Sequence, residues 1–223
     1  GEDIAALAGI AGHNLRIAAQ AFTLLAAGAA VEEDYKSAIQ SEQLAAAALT
    51  AAGGDEELRA RLLSATGLRA LQQQRLDEAL RLFREALALR ERLQGPVHPG
   101  LIKVLGNMAW VLQQQGQFES ALALRMRALH ISELQLGPWH PQLAVALSAL
   151  GRVLRAQGSY KEAQDYYERA LHIEERALGP AHPRVGSTLR EMGSLLLEQG
   201  LYQQATPTLR RALAITKAQP RSD

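Results

Sequence analysis

The chain has 223 residues and no Cys, which excludes disulfides, thiolate metal sites and a Cys nucleophile. Aromatics are only 4%, whereas Ala (40) and Leu (38) together supply about a third of the residues, so strong helix formers dominate and a sandwich of branched and ring side chains is disfavoured. The 24 basic and 23 acidic residues nearly cancel; this argues against a basic nucleic-acid tail and an acidic disordered tail, and no uncharged run reaches 18 apolar residues, so no membrane span is expected.

In chain order, a first helix is expected over about residues 3–18. The chain begins with Gly rather than Met and shows no secretion pattern, from which a piece of a longer, cytoplasmic protein is expected. Glu32–Glu33–Asp34 reads as a helix start in solvent. Gly53–Gly54 marks a junction, and charge shifts there: residues 1–54 carry six acids and two bases, net −4, leaving +5 for the remainder.

Beyond the junction the sequence repeats. His98–Pro99, His140–Pro141 and His182–Pro183 are each 42 residues apart, and a Gly-Pro pair precedes each. Ala79, Ala121, Ala163 and Ala205 share that step, as do Ala86, Ala128, Ala170 and Ala212. Each copy reads as two helices. In the third, residues 142–157 place Leu143, Leu147, Leu150, Gly151 and Leu154 on one face, the spacing of a helix with one buried side. Gly158 stops that helix. Residues 160–178 form the second, with Ala163, Tyr167, Ala170 and Leu171 inward. Gly151 and Ala163 stand where paired helices come closest, so a bulky side chain there would force them apart.

These residues resemble the tetratricopeptide repeat (TPR), and the 42-residue period with its Leu-Gly-Pro-x-His-Pro loop is similar to the kinesin-light-chain type. The second and fourth copies keep most of the pattern; the second departs at Arg125, where an aromatic is usual. The resemblance implies an all-α, right-handed superhelical solenoid of antiparallel helix pairs. Its four pairs are expected at about 57–95, 98–137, 140–179 and 182–217, followed by a disordered tail at 218–223. Phe22, Leu25, Ala26, Tyr35, Ala38 and Ala45 also match, so residues 1–56 are expected to hold a degenerate hairpin, read as a cap for the array or as a docking surface.

In such arrays the first (A) helices of the repeats line a concave groove that binds partners. The candidate contacts there are Lys103, Asn107, Trp110, Gln113, Gln114, Ser148, Arg152, Arg155, Arg190 and Ser194. Some TPR proteins clamp a peptide carboxylate at these positions. Arg152 and Arg190 match that arrangement and could form a basic cluster with Arg155, whereas Trp110 departs from the usual amide. An Arg fork binds a carboxylate with two hydrogen bonds; the plainer reading is arginines solvating a helix face. Trp110 is either an interface anchor or core between A helices. Asn107 matches an Asn common in the family and could hold peptide backbone. Trp139 reads as loop packing.

The repeated histidines, set apart by the distance between stacked repeats, cannot converge on one ion and read as structural. No catalytic motif is present, and neither enzyme activity nor a cofactor is expected. The function implied is a protein-interaction scaffold holding an extended, acidic peptide in the groove, with no nucleic acid and no membrane as partner. The alternative is a sensor arm of a larger signalling protein, acting through another domain or self-association by residues 1–56.

Overall fold

A computed structural model describes residues 13–25 and 35–218. The part of the expected 3–18 helix before residue 13, Ala26, the Glu32–Glu33–Asp34 start and residues 219–223 of the expected tail lie outside the described residues. Among the described residues all regular structure is helical, with no strand. The chain divides into two compact units, Gly1–Gln115 and Gly116–Asp223, a division that falls between the two helices of the second repeat.

The first unit contains α1 (residues 13–25), α2 (Tyr35–Ala51), α3 (Glu56–Gln72), α4 (Leu76–Gln94), a 3-10 turn (Pro99–Leu101) and α5 (Ile102–Gln114). Asp55 caps α3, its carboxylate accepting from the N–H groups of Glu57 and Leu58 at 3.0 Å each. Ala19, Leu49 and Leu58 form a buried cluster that joins α1, α2 and α3. A buried pair adds direction to that junction: Arg69 of α3 donates through Nε and Nη2 to the two oxygens of Glu42 on α2, at 2.9 and 2.7 Å. The helices of the first repeat, α3 and α4, meet where Gly67 lies under Phe83. A Cβ at Gly67 would stand 2.8 Å from the ring.

The second unit contains α6 (Phe118–Leu136), α7 (Gln142–Gln157), α8 (Tyr160–Leu178), α9 (Pro183–Glu198) and α10 (Tyr202–Lys217). Helices α7 and α8 occupy the residues that periodicity predicts. Leu129, Leu143, Leu147, Leu150 and Ile173 bind α6, α7 and α8 into one core cluster; Leu154, Tyr167 and Leu195 continue it to α9. Gly151 packs under the fully buried Tyr167, and a Cβ there would meet its ring at 2.7 Å. Gly193 meets Leu209 in the same way. This is the close approach that the small residues predict. The Tyr167 hydroxyl is itself buried without a hydrogen-bond partner, and burial pushes its pKa up to about 12.

The repeated loops do their work through the backbone. The Nδ1 atoms of His98, His140 and His182 accept from the N–H groups of Gly100, Gln142 and Arg184 at 3.0, 3.2 and 3.2 Å. Each His therefore satisfies an N–H at the start of a helical segment that the following Pro opens. Gly158 ends α7 in the left-handed region (φ 86°, ψ 4°), with the Ser159 N–H bonding back to the Leu154 carbonyl. The second helices are also tied to each other. Arg169 on α8 reaches Glu133 on α6 at 2.6 Å, and Arg211 on α10 reaches Glu175 on α8 at 2.5 Å, the same pair one repeat on.

Candidate functional site

Each unit carries a cleft between two A helices, floored by the second (B) helix between them. In the second unit, α7 contributes Val145, Ser148 and Arg152; α9 contributes Arg184, Ser187, Thr188, Arg190 and Glu191; and α8 supplies Glu174 from below, around about 240 Å³. The helical phase explains this set. Ser148 and Arg152 are one turn apart on α7, as are Ser187 and Glu191 on α9, so each series points to one side. Three guanidinium groups line the opening. Arg152 and Arg190 are exposed. The Ser148 hydroxyl is buried, lines the cleft and has no hydrogen-bond partner. Glu174 is 3% exposed and accepts from the Thr188 hydroxyl at 2.7 Å. Burial pushes its carboxyl up from the ordinary value, and the Thr188 bond, Arg184 and His182 oppose that shift.

In the first unit the cleft lies between α3 and α5, with Gln20, Thr23 and Leu24 of α1 along its wall, and encloses about 420 Å³. Leu24, Leu58, Leu68 and Val104 make it largely apolar, while Arg61, Lys103 and Arg90 bring positive charge. Arg90 enters from α4. Its Nε is buried without a partner, and its Nη1 donates to the Gly100 carbonyl at 3.4 Å. Burial lowers its pKa, and neighbouring Arg61 lowers it further.

The predicted contacts fall into three groups. Ser148, Arg152 and Arg190 come together in the second cleft, and Lys103 and Asn107 line the first. Trp110 stands one turn beyond Asn107 and is 36% exposed; Gln113 is half-buried and Gln114 exposed at the end of α5, and Ser194 is half-buried one turn beyond Arg190. Arg155 is already engaged: it bonds Glu191 at 2.9 Å and Glu198 at 3.2 Å, so its charge is balanced inside the fold. By the 42-residue step Arg152 corresponds to Ser194 and Arg190 to Ser148, so the two arginines reach one cleft from different repeat positions. Sequence reasoning missed Glu174 and Arg90, because it followed the A helices alone and the signal available was the register of the B helices; it also missed Arg184, in the first turn of α9. Arg125, whose Nε is also buried without a partner, has its pKa lowered by burial and then by Arg152. Trp139 packs in its loop edge-on to His172 with centroids 5.7 Å apart, and Arg176 lies 5.4 Å from its ring. Among the described residues no group of three or more acidic or His side chains could hold a metal ion, and no helix is long and apolar enough to cross a membrane.

The tetratricopeptide repeat family model matches residues 69–133, 111–173 and 142–218, and the chain belongs to that family. No curated protein matches the chain significantly. Among solved structures it is similar to the nearly identical TPR-like repeats of a Podosopora anserina protein assigned to the kinesin light chains (20% identity, 91% of this chain and 97% of that one, TM-score 0.79). It is similar also to BtubC (BKLC) from P. vanneervenii (21% identity, 98% and 94%, TM-score 0.78) and to aspartyl phosphate phosphatase F from Bacillus subtilis (16% identity, 93% and 52%, TM-score 0.75). At these identities the likeness is one of fold. That fold commonly serves as a non-catalytic scaffold for protein–protein interaction.

Proposed function

We propose that the chain is a protein-interaction module that holds an extended segment of a partner protein in clefts between neighbouring A helices, with an acidic group of that segment in the α7–α9 cleft. The observation that carries this reading is the convergence of Arg152, Arg184 and Arg190 around a cleft whose Ser148 hydroxyl is buried with no partner. A buried donor without an acceptor costs free energy until a ligand supplies one. The exposed guanidinium forks match a carboxylate in two-point geometry. Lys103 and Asn107 serve the first cleft, with Trp110, Gln113 and Gln114 further along α5, and Ser194 follows Arg190 on α9 beside the second. Such a segment loses conformational entropy on binding, so affinity in the micromolar range, about −8 kcal/mol, is the expectation. The module needs no cofactor, performs no catalysis and takes no nucleic acid or membrane.

One observation favours a second role. Ile17, Leu24 and Leu25 on α1 and Ile39 and Leu44 on α2 are exposed, a feature of surfaces that meet another domain or a second copy. That is the sensor-arm reading, in which residues 1–56 make the contact. Peptide display on the wild-type chain beside the double variant Arg152→Glu/Arg190→Glu separates the two. The groove reading expects the wild type to enrich acidic or carboxylate-ended sequences and the variant to lose them. Enrichment of nothing by either protein refutes a peptide groove.

A further inference from the structure

The two clefts are built from the same repeat positions. Adding 84 residues, two repeats, converts Arg61, Ser64 and Leu68 of the first into Val145, Ser148 and Arg152 of the second. The same step converts Lys103, Val104 and Asn107 into Ser187, Thr188 and Glu191. It also converts Arg90, on the floor of the first, into Glu174 on the floor of the second. The remaining copies of the floor position are Ser132 and Thr216, whose hydroxyls bond back to the carbonyls of Ala128 and Ala212 at 2.9 and 3.0 Å. Charge at this register is therefore confined to the two copies that floor these clefts, and its sign is opposite in them.

We propose that this B-helix floor position sets which side chain of a partner segment each cleft accepts: Arg90 draws an acidic side chain on an apolar stem into the α3–α5 cleft, whereas Glu174 holds a carboxylate away from the floor of the α7–α9 cleft and leaves it to the rim arginines. The inference rests on the peptide-groove reading above and adds the selectivity of its subsites. In the first cleft the lining holds three cations and no carboxylate. The neighbouring acid, Glu57, is taken up by Arg61 at 2.6 Å. Arg90 thus has a buried, unmatched N–H at the end of a pocket walled by Leu24, Leu58, Leu68 and Val104. A carboxylate placed there matches the unpaired donor, and its stem covers apolar wall. In the second cleft an incoming carboxylate meets the buried Glu174 oxygens at the floor, and Glu191 is already paired with Arg155. A hydroxyl or amide donor fits that floor; an acid fits the rim.

The test is a cycle between protein and peptide. Peptides selected by display on the wild-type chain are resynthesised with each acid replaced by its amide and titrated against wild type, Arg90→Gln and Glu174→Gln. For one acidic position the amide should bind wild type about tenfold more weakly, the scale of a hydrogen bond to a charged group, and this penalty should vanish in Arg90→Gln. Glu174→Gln should bind acidic peptides several-fold more tightly while leaving that penalty intact. The proposal is overturned if wild type tolerates every acid-to-amide change, or if the penalty is unchanged in Arg90→Gln. If Arg90→Gln does not fold, Arg90→Lys, which keeps the charge and lacks the Nε–H, takes its place; the penalty should shrink there, and an unchanged penalty overturns the proposal. Failure of wild type to select any peptide removes the groove reading, and this inference falls with it; selection without Arg90 dependence removes this inference alone.

Discussion

Glu174 is a carboxylate that the fold takes out of water, and its linkage to stability has a definite sign. Burial raises its native pKa above the ordinary 4.5, so the native state keeps its proton to higher pH than the unfolded chain does. Stability from this group therefore falls as pH rises from near 4.5 through the raised native value, and levels off above it. Glu174→Gln keeps an acceptor for Thr188 but carries no charge, so it should raise the melting temperature at neutral pH and flatten that pH dependence. Thermal melts from pH 4 to 8 check this, and an unchanged melting profile would contradict it. Gly151 makes the opposite kind of demand. A methyl group there stands 2.7 Å from the Tyr167 ring, which is fully buried. Gly151→Ala should cost about 1–3 kcal/mol, read by urea unfolding.

Between helices, the ends and junctions decide as much as the faces. The left-handed stop after the first helix is Gly in the later copies, at Gly116, Gly158 and Gly200, but in the first copy it is Gln74, held at φ 59°. A side chain in that conformation costs about 1–2 kcal/mol, partly offset by the greater chain entropy that Gly loses on folding. Gln74→Gly should accordingly stabilise the first unit by about 0.5–1 kcal/mol, with denaturant midpoints as the check. The junction of α2 with α3 depends on the Arg69–Glu42 pair, whose residues are 6% and 8% exposed. Arg69→Leu strands a buried carboxylate and should destabilise by about 3 kcal/mol or more, whereas replacing both partners with apolar residues recovers much of the loss. This pair could not be read from sequence, since nothing in the local pattern distinguishes Glu42 from the other polar residues of an Ala-rich helix.

For the molecule as a whole, the repeat made the fold legible. The 42-residue step places the helix pairs, Gly151 against Tyr167 follows from the small-large rule, and the His-Pro loops announce helix starts. The A-helix positions likewise select Ser148, Arg152 and Arg190, which line one cleft. What stayed hidden depends on partners that periodicity does not name. Arg155 sits in the right phase for binding, yet two glutamates of α9 neutralise it. Arg90 and Glu174 lie on B helices that the groove description leaves out, and their charge difference appears only when the repeats are aligned. Pattern gives a residue its face; whether it is free to bind is set by the charges that tertiary packing brings beside it.

We propose that a partner segment lies in the clefts between A helices. Hydrogen–deuterium exchange on the full chain, with and without a display-selected acidic peptide, tests it most directly. Added protection is expected in α7 around residues 148–152 and in α9 around residues 184–191, lost in Arg152→Glu/Arg190→Glu. Protection confined to α1 and α2, or unchanged by those substitutions, would contradict it and move the interaction to the N-terminal helices.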